Sequence, residues 1–146
     1  MKTFFTGIKS QDVDYIWHVV APMILRAIVE EQRIYDLQSV YDGLKARNMQ
    51  LWIFAVEGEI KACMVTEIRE HPKAKIVHIL VLGGDSVLAW KEARENWEEF
   101  ELWALSSGCT FIEALTRPGV SKLTKEVGLL KKGEFLRKEL VRPTVQ

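Results

Sequence analysis

The feature that most constrains the fold of this chain is a change of hydrophobic period near residue 50. Before it, apolar residues recur every three or four positions, which indicates amphipathic helices over residues 12–29 and 36–45. After it, Leu51–Leu82 is apolar in nearly unbroken runs, with turns at Glu57-Gly58-Glu59 and at His71–Lys75. Because strands joined by tight turns pair antiparallel, this region predicts a three-stranded meander.

A helix and a further strand follow the meander. Val87–Leu105 has a helical apolar repeat, Gly108 stands where such a helix would end, and Cys109–Leu115 has the composition of a buried strand. A strand–helix–strand connection within one sheet places its two strands parallel. We also predict a short first strand at Phe4–Ile8 and a closing strand or hairpin at Val127–Val141.

No internal repeat and no Gly/Ser/Pro linker divides the chain, which indicates a single domain over residues 1–146. The predicted class is α/β in the broad sense (α+β), with a mixed, mostly antiparallel sheet of about 6 strands flanked by about 4 helices. Pro22 is expected either to kink the first helix or to start a second one at Met23, because proline has no N–H to donate.

Charge is balanced overall but not along the chain. Twenty Lys and Arg stand against twenty Asp and Glu, so bulk charge does not make the protein a polyanion binder. Between Arg117 and Arg142, however, there are eight basic and three acidic residues. This segment predicts either a solvated basic face or an anion site. Because Trp and Tyr are not interleaved with its Lys and Arg, stacking on nucleic-acid bases is not expected.

The two cysteines and three histidines lack metal-ligand spacing, so no metal is expected. Cys63 and Cys109 lie in apolar, strand-like runs and are predicted to be buried free thiols. The longest apolar stretch, Ile16–Val29, is interrupted by polar residues and is shorter than the ~20 residues of a membrane helix. The first residues lack the apolar core of a signal peptide. We therefore expect a soluble cytoplasmic protein with no membrane partner.

The element order and the C-terminal segment resemble the GNAT superfamily of N-acetyltransferases. The segment LTKEVGLLKKGEFLRKEL is similar to the family's C-terminal signature, which continues to a second glycine and a closing strand. The matching residues are Leu123, Lys125, Glu126 and Gly128. QLWIFAVEGEIKACMVTEI and FELWALSSGCTFIEALTRPG are similar to segments of small GNAT-like proteins encoded by tailed phages. The resemblance covers roughly residues 36–140.

This resemblance implies binding of acetyl-CoA. The family's pyrophosphate loop, Q/R-x-x-G-x-G/A, corresponds here to LGGDSVLAW, which lacks the leading basic or Gln residue and carries Asp85 at the helix start. Glycine amides and a helix N-terminus hold phosphates in such a loop, and a capped turn without a ligand is the alternative. The residues expected to bind the cofactor are Leu82, Gly83, Gly84, Ser86, Arg117 and Lys122.

Three residues are candidates for the chemistry of acyl transfer. His78, within the long central strand, is the candidate base, and a hydrogen-bonded core histidine is the alternative. Glu113 is expected in the cleft between the fourth and fifth strands, or at a polar rim. Thr124 stands where the family often has a Tyr acid, although a Thr hydroxyl is a poor proton donor. Glu67 is predicted to face solvent.

Two functions remain open from the sequence. One is an N-acyltransferase with an altered loop, which takes acyl-CoA and an amine acceptor. The other is a non-catalytic GNAT-fold protein, a phage virion or assembly component whose partners are phage structural proteins or further copies of itself. A phage-encoded protein would reside in the host cytoplasm or in the virion. The altered loop and the missing Tyr favour the second function, whereas the Gly-Gly pair and the basic segment favour the first.

Overall fold

The computed structural model describes residues 3–28, 34–114 and 125–143, with residues 86–90 described by their backbone alone. Within these ranges the chain forms five strands and four α-helices, and a 3₁₀ turn at Ser10–Asp12 precedes the first helix. The elements are β1 (Thr3–Ile8), α1 (Val13–Ala27), α2 (Leu37–Lys45), β2 (Met49–Val56), β3 (Glu59–His71), β4 (Ala74–Gly84), α3 (Ser86–Glu95), α4 (Trp97–Ser106) and β5 (Phe111–Ala114).

The five strands form one sheet in the order β1-β2-β3-β4-β5. The first three pairings are antiparallel, and the pairing of β4 with β5 is parallel because α3 and α4 carry the chain back along the sheet. Glu57 and Gly58 have φ angles of 51° and 78°. Two left-handed residues in succession give a turn whose twist matches an antiparallel hairpin. The mixed, mostly antiparallel sheet is therefore confirmed.

Helices cover both faces of the sheet, and each face has its own apolar cluster. Because alternate side chains of a strand point to opposite faces, neighbouring residues of one strand contribute to different clusters. One face packs on α3 and α4, with Val77 and Phe100 among the buried residues. The other face packs on α1 and α2, with Val20, Leu44 and Val65 among the buried residues.

Capping explains where α2 begins. The Ser39 amide donates to the Asp36 carboxylate at 2.7 Å, and the Asp36 amide donates to Ser39 Oγ at 2.9 Å. This reciprocal cap starts the helix at the predicted residue. In α1, by contrast, Pro22 lies inside a helix that continues to Ala27, so no second helix starts at Met23.

The single helix predicted over residues 87–105 is divided into α3 and α4 at Asn96. The Asn96 side-chain amide donates to the Glu92 carbonyl oxygen at 2.8 Å, and the Asn96 backbone amide donates to the same oxygen at 3.0 Å. A side chain that bonds the backbone of the preceding turn competes with the regular helical ladder. The helical repeat in the sequence continues across this point, which is why the division was not predicted.

The strand predicted in Val127–Val141 is not formed. Val127 and Leu129 pack against the α3/α4 cluster, but residues 129–143 have no regular secondary structure. The apolar residues of this segment occur as adjacent pairs, Phe135-Leu136 and Leu140-Val141. In an extended chain each pair would place one apolar side chain on either face, so no single apolar face results. The described residues thus contain five strands rather than about six.

Both cysteines are buried free thiols, as predicted. Burial raises the pKa of the Cys63 thiol to about 12, against the smaller opposing effect of a hydrogen bond with the Gly83 backbone. Burial also raises the pKa of Cys109. Because the thiolate is the reactive form, both side chains are packing groups rather than nucleophiles.

Candidate active site

Three polar side chains lie next to one another across the sheet, on the face that packs on α1 and α2. They belong to Glu67, His78 and Glu113 and are called the polar row below. His78 of β4 pairs with Glu67 of β3 on one side and with Glu113 of β5 on the other. His78 lies between Val77 and Ile79, which both belong to the α3/α4 cluster, so its own side chain points to the opposite face. Directly paired residues share a face, so both carboxylates flank the imidazole. The two residues singled out as catalytic candidates, His78 and Glu113, are therefore brought together.

Glu67 is held in place by two other side chains. The Tyr35 hydroxyl donates to Glu67 Oε1 at 3.1 Å, and Arg69 Nε donates to the same oxygen at 2.7 Å. Arg69 Nη2 also donates to the Tyr35 hydroxyl at 3.1 Å, which closes a triangle of three groups. The Glu67 side chain is 20% exposed, so the prediction that it faces solvent is wrong. Its neighbours bury it because Tyr35, just ahead of α2, lies over this part of β3.

The imidazole of His78 is half-buried, and its Nδ1 atom is buried with no hydrogen-bond partner among the described residues. Burial lowers the pKa of His78, and the positive charge of Arg69 lowers it further. The carboxylates of Glu67 and Glu113 act in the opposite direction but do not reverse the shift. A histidine with a lowered pKa is neutral at pH 7 and can accept a proton. Whether His78 serves as a base or as a core histidine stays a prediction from the sequence.

One other buried side-chain atom in the described residues lacks a partner, Oε2 of Glu92 in α3. Glu92 is 2% exposed and its helix packs on the opposite face of the sheet from His78. It is therefore not part of the polar row.

A β-bulge in β4 sets the position of His78. Val65 pairs with Val81, but the next residue, Thr66, pairs with Ile79, so Leu80 is an extra residue in β4. A regular ladder continued from Val65 would place His78 opposite Ile68, on the α3/α4 face. A slip of one residue moves every following side chain to the other face of a sheet. The bulge thus carries His78 out of the α3/α4 core and opposite Glu67.

Beyond the bulge, β4 has a partner on one side only among the described residues. The ladder with β5 covers Ile76–Ile79, whereas β4 continues to Gly84 along β3. The backbone edge of residues 80–84 is thus not paired with β5. An unpaired strand edge offers N–H and C=O groups to an extended ligand, and this edge begins two residues after His78.

The two glycines of the predicted phosphate loop make close contacts within the protein. A Cβ atom on Gly83 would lie 2.6 Å from the Met23 carbonyl oxygen of α1. One on Gly84, which has a φ of 92°, would lie 2.5 Å from the Lys61 carbonyl oxygen. The Asp85 amide also donates to that Lys61 oxygen, at 3.0 Å. Both glycines are thus required by the packing of β4 against α1 and β3.

The remaining predicted cofactor residues are described in part or not at all. Leu82 packs against the α3/α4 cluster, and Ser86 is the first residue of α3, where the backbone alone is described. Arg117, Lys122 and Thr124 lie outside the described residues. The start of α3 directly after β4 is an arrangement that suits an anion, because the first amides of a helix have no helical partner.

Other kinds of site find less support in the described residues. Among them, no three His, Cys, Asp or Glu side chains form a group suited to a metal ion. A cavity of about 360 Å³ near the end of β1, lined by residues such as Lys9 and Arg47, includes none of the polar row. None of the helices in the described ranges is long and apolar enough to cross a membrane.

Solved structures similar to this chain include several acetyltransferases. An aminoglycoside acetyltransferase from an uncultured soil metagenomic sample, in complex with trehalose, has a TM-score of 0.69 at 9% identity over 97% of each chain. A predicted acetyltransferase from Clostridium acetobutylicum, with acetyl-CoA, has a TM-score of 0.68 at 11% identity over 94% of this chain and 96% of that one. Glucosamine-6-phosphate N-acetyltransferase from Arabidopsis thaliana has a TM-score of 0.67 at 14% identity, over 97% of this chain and 100% of that one. Neither a protein-family model nor a curated protein matches the sequence.

Identities of 9–14% relate these proteins through their folds, and a fold alone does not carry a substrate from one protein to another. The similarity nevertheless extends over at least 94% of the chain. It agrees with the element order from which the sequence resembles the GNAT superfamily, although the closing strand is not formed in the described residues. The chain therefore has the fold of the GNAT acetyltransferases.

Proposed function

We propose that this protein is an N-acyltransferase that uses acyl-CoA, with His78 as the base that deprotonates an amine acceptor. The observation that carries the proposal is the environment of His78, a neutral imidazole with an unpartnered buried Nδ1 between two carboxylates. A perturbed titratable group next to an unpaired strand edge is typical of a catalytic site.

The row has the charges that an amine acceptor requires. Glu67 and Glu113 attract an ammonium group to the sheet face, where His78 accepts one of its protons. The neutral amine then attacks the thioester carbonyl, so that a C–N bond forms and the C–S bond breaks. The nitrogen loses a second proton as the amide forms, and the departing thiolate takes one up. The hydrogen bonds from Tyr35 and Arg69 hold the Glu67 carboxylate beside His78 during these steps.

The proposed position of acyl-CoA follows β4. The unpaired edge of residues 80–84 would receive the extended part of the molecule, and the first turn of α3 at Ser86 would receive a phosphate. Gly83 and Gly84 contribute by letting β4 approach α1 and β3, not by leaving an open cradle. Arg117, Lys122 and Thr124 remain proposed contributors to phosphate binding and proton donation. One similar structure contains acetyl-CoA, which supports a ligand of this class.

The test combines binding with turnover. Acetyl-CoA is titrated into the protein by calorimetry, and release of the CoA thiol is followed with a panel of amines; the buried cysteines do not contribute to this signal. His78→Gln should leave acetyl-CoA affinity unchanged and reduce kcat by about 10²–10⁴-fold, the usual contribution of a general base. His71→Gln, which changes an exposed histidine in the β3–β4 turn, is the matched control.

Two results would reject the acyltransferase. One is the absence of acetyl-CoA binding at millimolar concentration by a folded protein. The other is turnover by His78→Gln at the rate of the His71→Gln control. Either result would have to be obtained with protein whose circular dichroism spectrum matches that of the wild type.

A second function is a non-catalytic role, such as a phage virion or assembly component. The observation in its favour is that the space beside both loop glycines is filled by the protein's own backbone, which leaves the described loop little room for phosphate. Under this proposal the protein binds other protein chains and not acyl-CoA. A folded protein that shows no acetyl-CoA binding would favour it.

A further inference from the structure

The C-terminal segment from Lys131 to Arg142 presents apolar and basic side chains to solvent. Its apolar residues Phe135, Leu136, Leu140 and Val141 are between 56% and 86% exposed. The segment contains five basic residues and two acidic ones. It begins just after Val127 and Leu129, which anchor the chain to the α3/α4 cluster. A soluble protein rarely exposes so many large apolar side chains in one short segment without a partner for them.

The outer face of α4 has the complementary character. Leu102 and Leu105 are 60% and 63% exposed, although the inner face of the same helix is buried. Glu98 and Glu101 occupy the positions three or four residues away, so the four side chains form one stripe at i, i+3, i+4 and i+7. The helix contains three Glu and no Lys, Arg or His. This face is therefore apolar and acidic, whereas the C-terminal segment is apolar and basic.

We propose that the C-terminal segment of one copy, residues 131–142, docks on the outer face of α4 of a second copy. Within one copy both surfaces are exposed, so the segment does not cover its own α4. The basic side chains of the segment, Lys138 nearest among them, would lie beside Glu98 and Glu101, and Leu140 and Val141 would cover Leu102 and Leu105. If each copy donates its segment to the other, the exchange forms a closed dimer with two equivalent contacts.

This dimer is independent of the proposed acyl transfer. The polar row lies on the sheet face that packs on α1 and α2, and α4 packs on the other face. A variant of the docking surfaces should therefore change self-association without changing turnover or acetyl-CoA affinity. Failure of either proposal can be recognised separately.

The experiment is a charge exchange, with self-association measured by sedimentation velocity over a range of concentrations. Full-length protein with Glu98→Lys and Glu101→Lys should associate at least about tenfold more weakly, because each contact loses two opposite-charge pairs. Lys131→Glu with Lys138→Glu should have the same effect. The matched control carries Glu57→Lys and Glu59→Lys at the β2–β3 turn, makes the same change of net charge as the helix variant, and should associate like the wild type.

Mixing separates docking between copies from docking within one copy. Each of the two single-surface variants associates weakly with itself, but the two together should form a mixed dimer. At one contact the reversed segment of one variant faces the reversed helix of the other. At the other contact both surfaces have their wild-type charges. A chain carrying all four substitutions should regain wild-type association. A wild-type protein that stays monomeric at all concentrations, or variants that associate like the control, would overturn the proposal. So would a loss of association that neither mixing nor the four-substitution chain restores.

Discussion

At His78, burial and the charge of Arg69 outweigh two neighbouring carboxylates, and the pKa falls below its ordinary value of 6.5. The base is needed in its neutral form, so kcat/KM should rise with pH and then level off. The midpoint of this rise should lie below 6.5, because the folded protein disfavours the protonated ring. Rates measured between pH 4.5 and 8 would locate this midpoint. Protein returned from each pH to neutral buffer should regain full activity if the lower rate is not caused by unfolding.

The pH midpoint of the variant Arg69→Gln can be compared with that of the wild type. Removing the cation should move the midpoint upward, since the charge of Arg69 adds to burial in lowering the pKa of His78. A midpoint above 6.5 in the wild type, or no movement in Arg69→Gln, would contradict this assignment of the base.

Gly83 is a position at which one added methyl group should matter. In Gly83→Ala the new Cβ would lie 2.6 Å from the Met23 carbonyl oxygen, so α1 must move away from β4. We expect the free energy of unfolding to fall by about 1–3 kcal/mol, as in other overpacked sites. Urea unfolding would measure it, with Gly133→Ala as the control because a Cβ there meets nothing within 4 Å. Equal stability of the two variants would mean that α1 accommodates the methyl group freely.

Residues that stand out within their own segment could be singled out from the sequence. His78 and Glu113 are polar residues inside apolar strand sequences, and the structure pairs them across β4 and β5, while their catalytic roles stay predictions. The contact between Tyr35 and Glu67 was not predicted, because the two residues come together from positions 32 residues apart in the chain. No local pattern marks such a contact. Only the fold, which lays the residues ahead of α2 over β3, brings the hydroxyl to the carboxylate.

Among the elements, β4 contributes most to the proposed site. Its two halves differ, since the first has partners on both edges and the second pairs only with β3 in the described residues. The sequence predicted the strand and its end near Gly83 but not the bulge at Leu80. A bulge depends on how two strands fit across the sheet, and Leu80 is as apolar as its neighbours. The face on which His78 lies was therefore beyond prediction from periodicity.

The start of α2 offers a test at the same scale. In Asp36→Ala the Ser39 amide loses its acceptor, and the free energy of unfolding should fall by about 1 kcal/mol, as for other N-cap losses. Asp42→Ala, which removes only an exposed bond with Gln38 on the same helix, should change it by less than about 0.5 kcal/mol. Thermal or urea unfolding of both variants would compare them. A smaller loss for Asp36→Ala than for Asp42→Ala would mean that the cap does not set the start of the helix.

For the molecule as a whole, the order of hydrophobic periods was sufficient to predict the sheet and its coverage by helices. The crossover from β4 to β5 followed from one helical segment between two strand-like segments. The prediction of a C-terminal strand was wrong. Periodicity shows which residues of a segment share a face, but it does not show whether another strand is available for the segment to pair with. The proposed site takes side chains from three strands and from the loop ahead of α2, so it could be predicted only in outline.

The aromatic cluster between the sheet and α4 should contribute most to global stability. Phe100 is 1% exposed, and its ring lies 5.3 Å from that of Trp52 and 5.2 Å from that of Trp97. Phe100→Ala should lower the free energy of unfolding by about 3–5 kcal/mol. Tyr15→Ala, at a residue 78% exposed on α1, should change it by less than about 0.5 kcal/mol. Guanidinium unfolding followed by circular dichroism would test this, and similar midpoints would show that the cluster is not the main core.

The burial of both native thiols has a practical consequence. A cysteine introduced at an exposed position, such as Tyr15→Cys, would be the fastest-reacting thiol of the folded protein, since burial raises the pKa of Cys63 and Cys109. A fluorophore could be attached there without first replacing either native residue. A second labelled position near Gly133 would then allow energy transfer to follow the C-terminal segment as two copies meet. The protein could therefore be labelled for single-molecule measurements with both native cysteines in place.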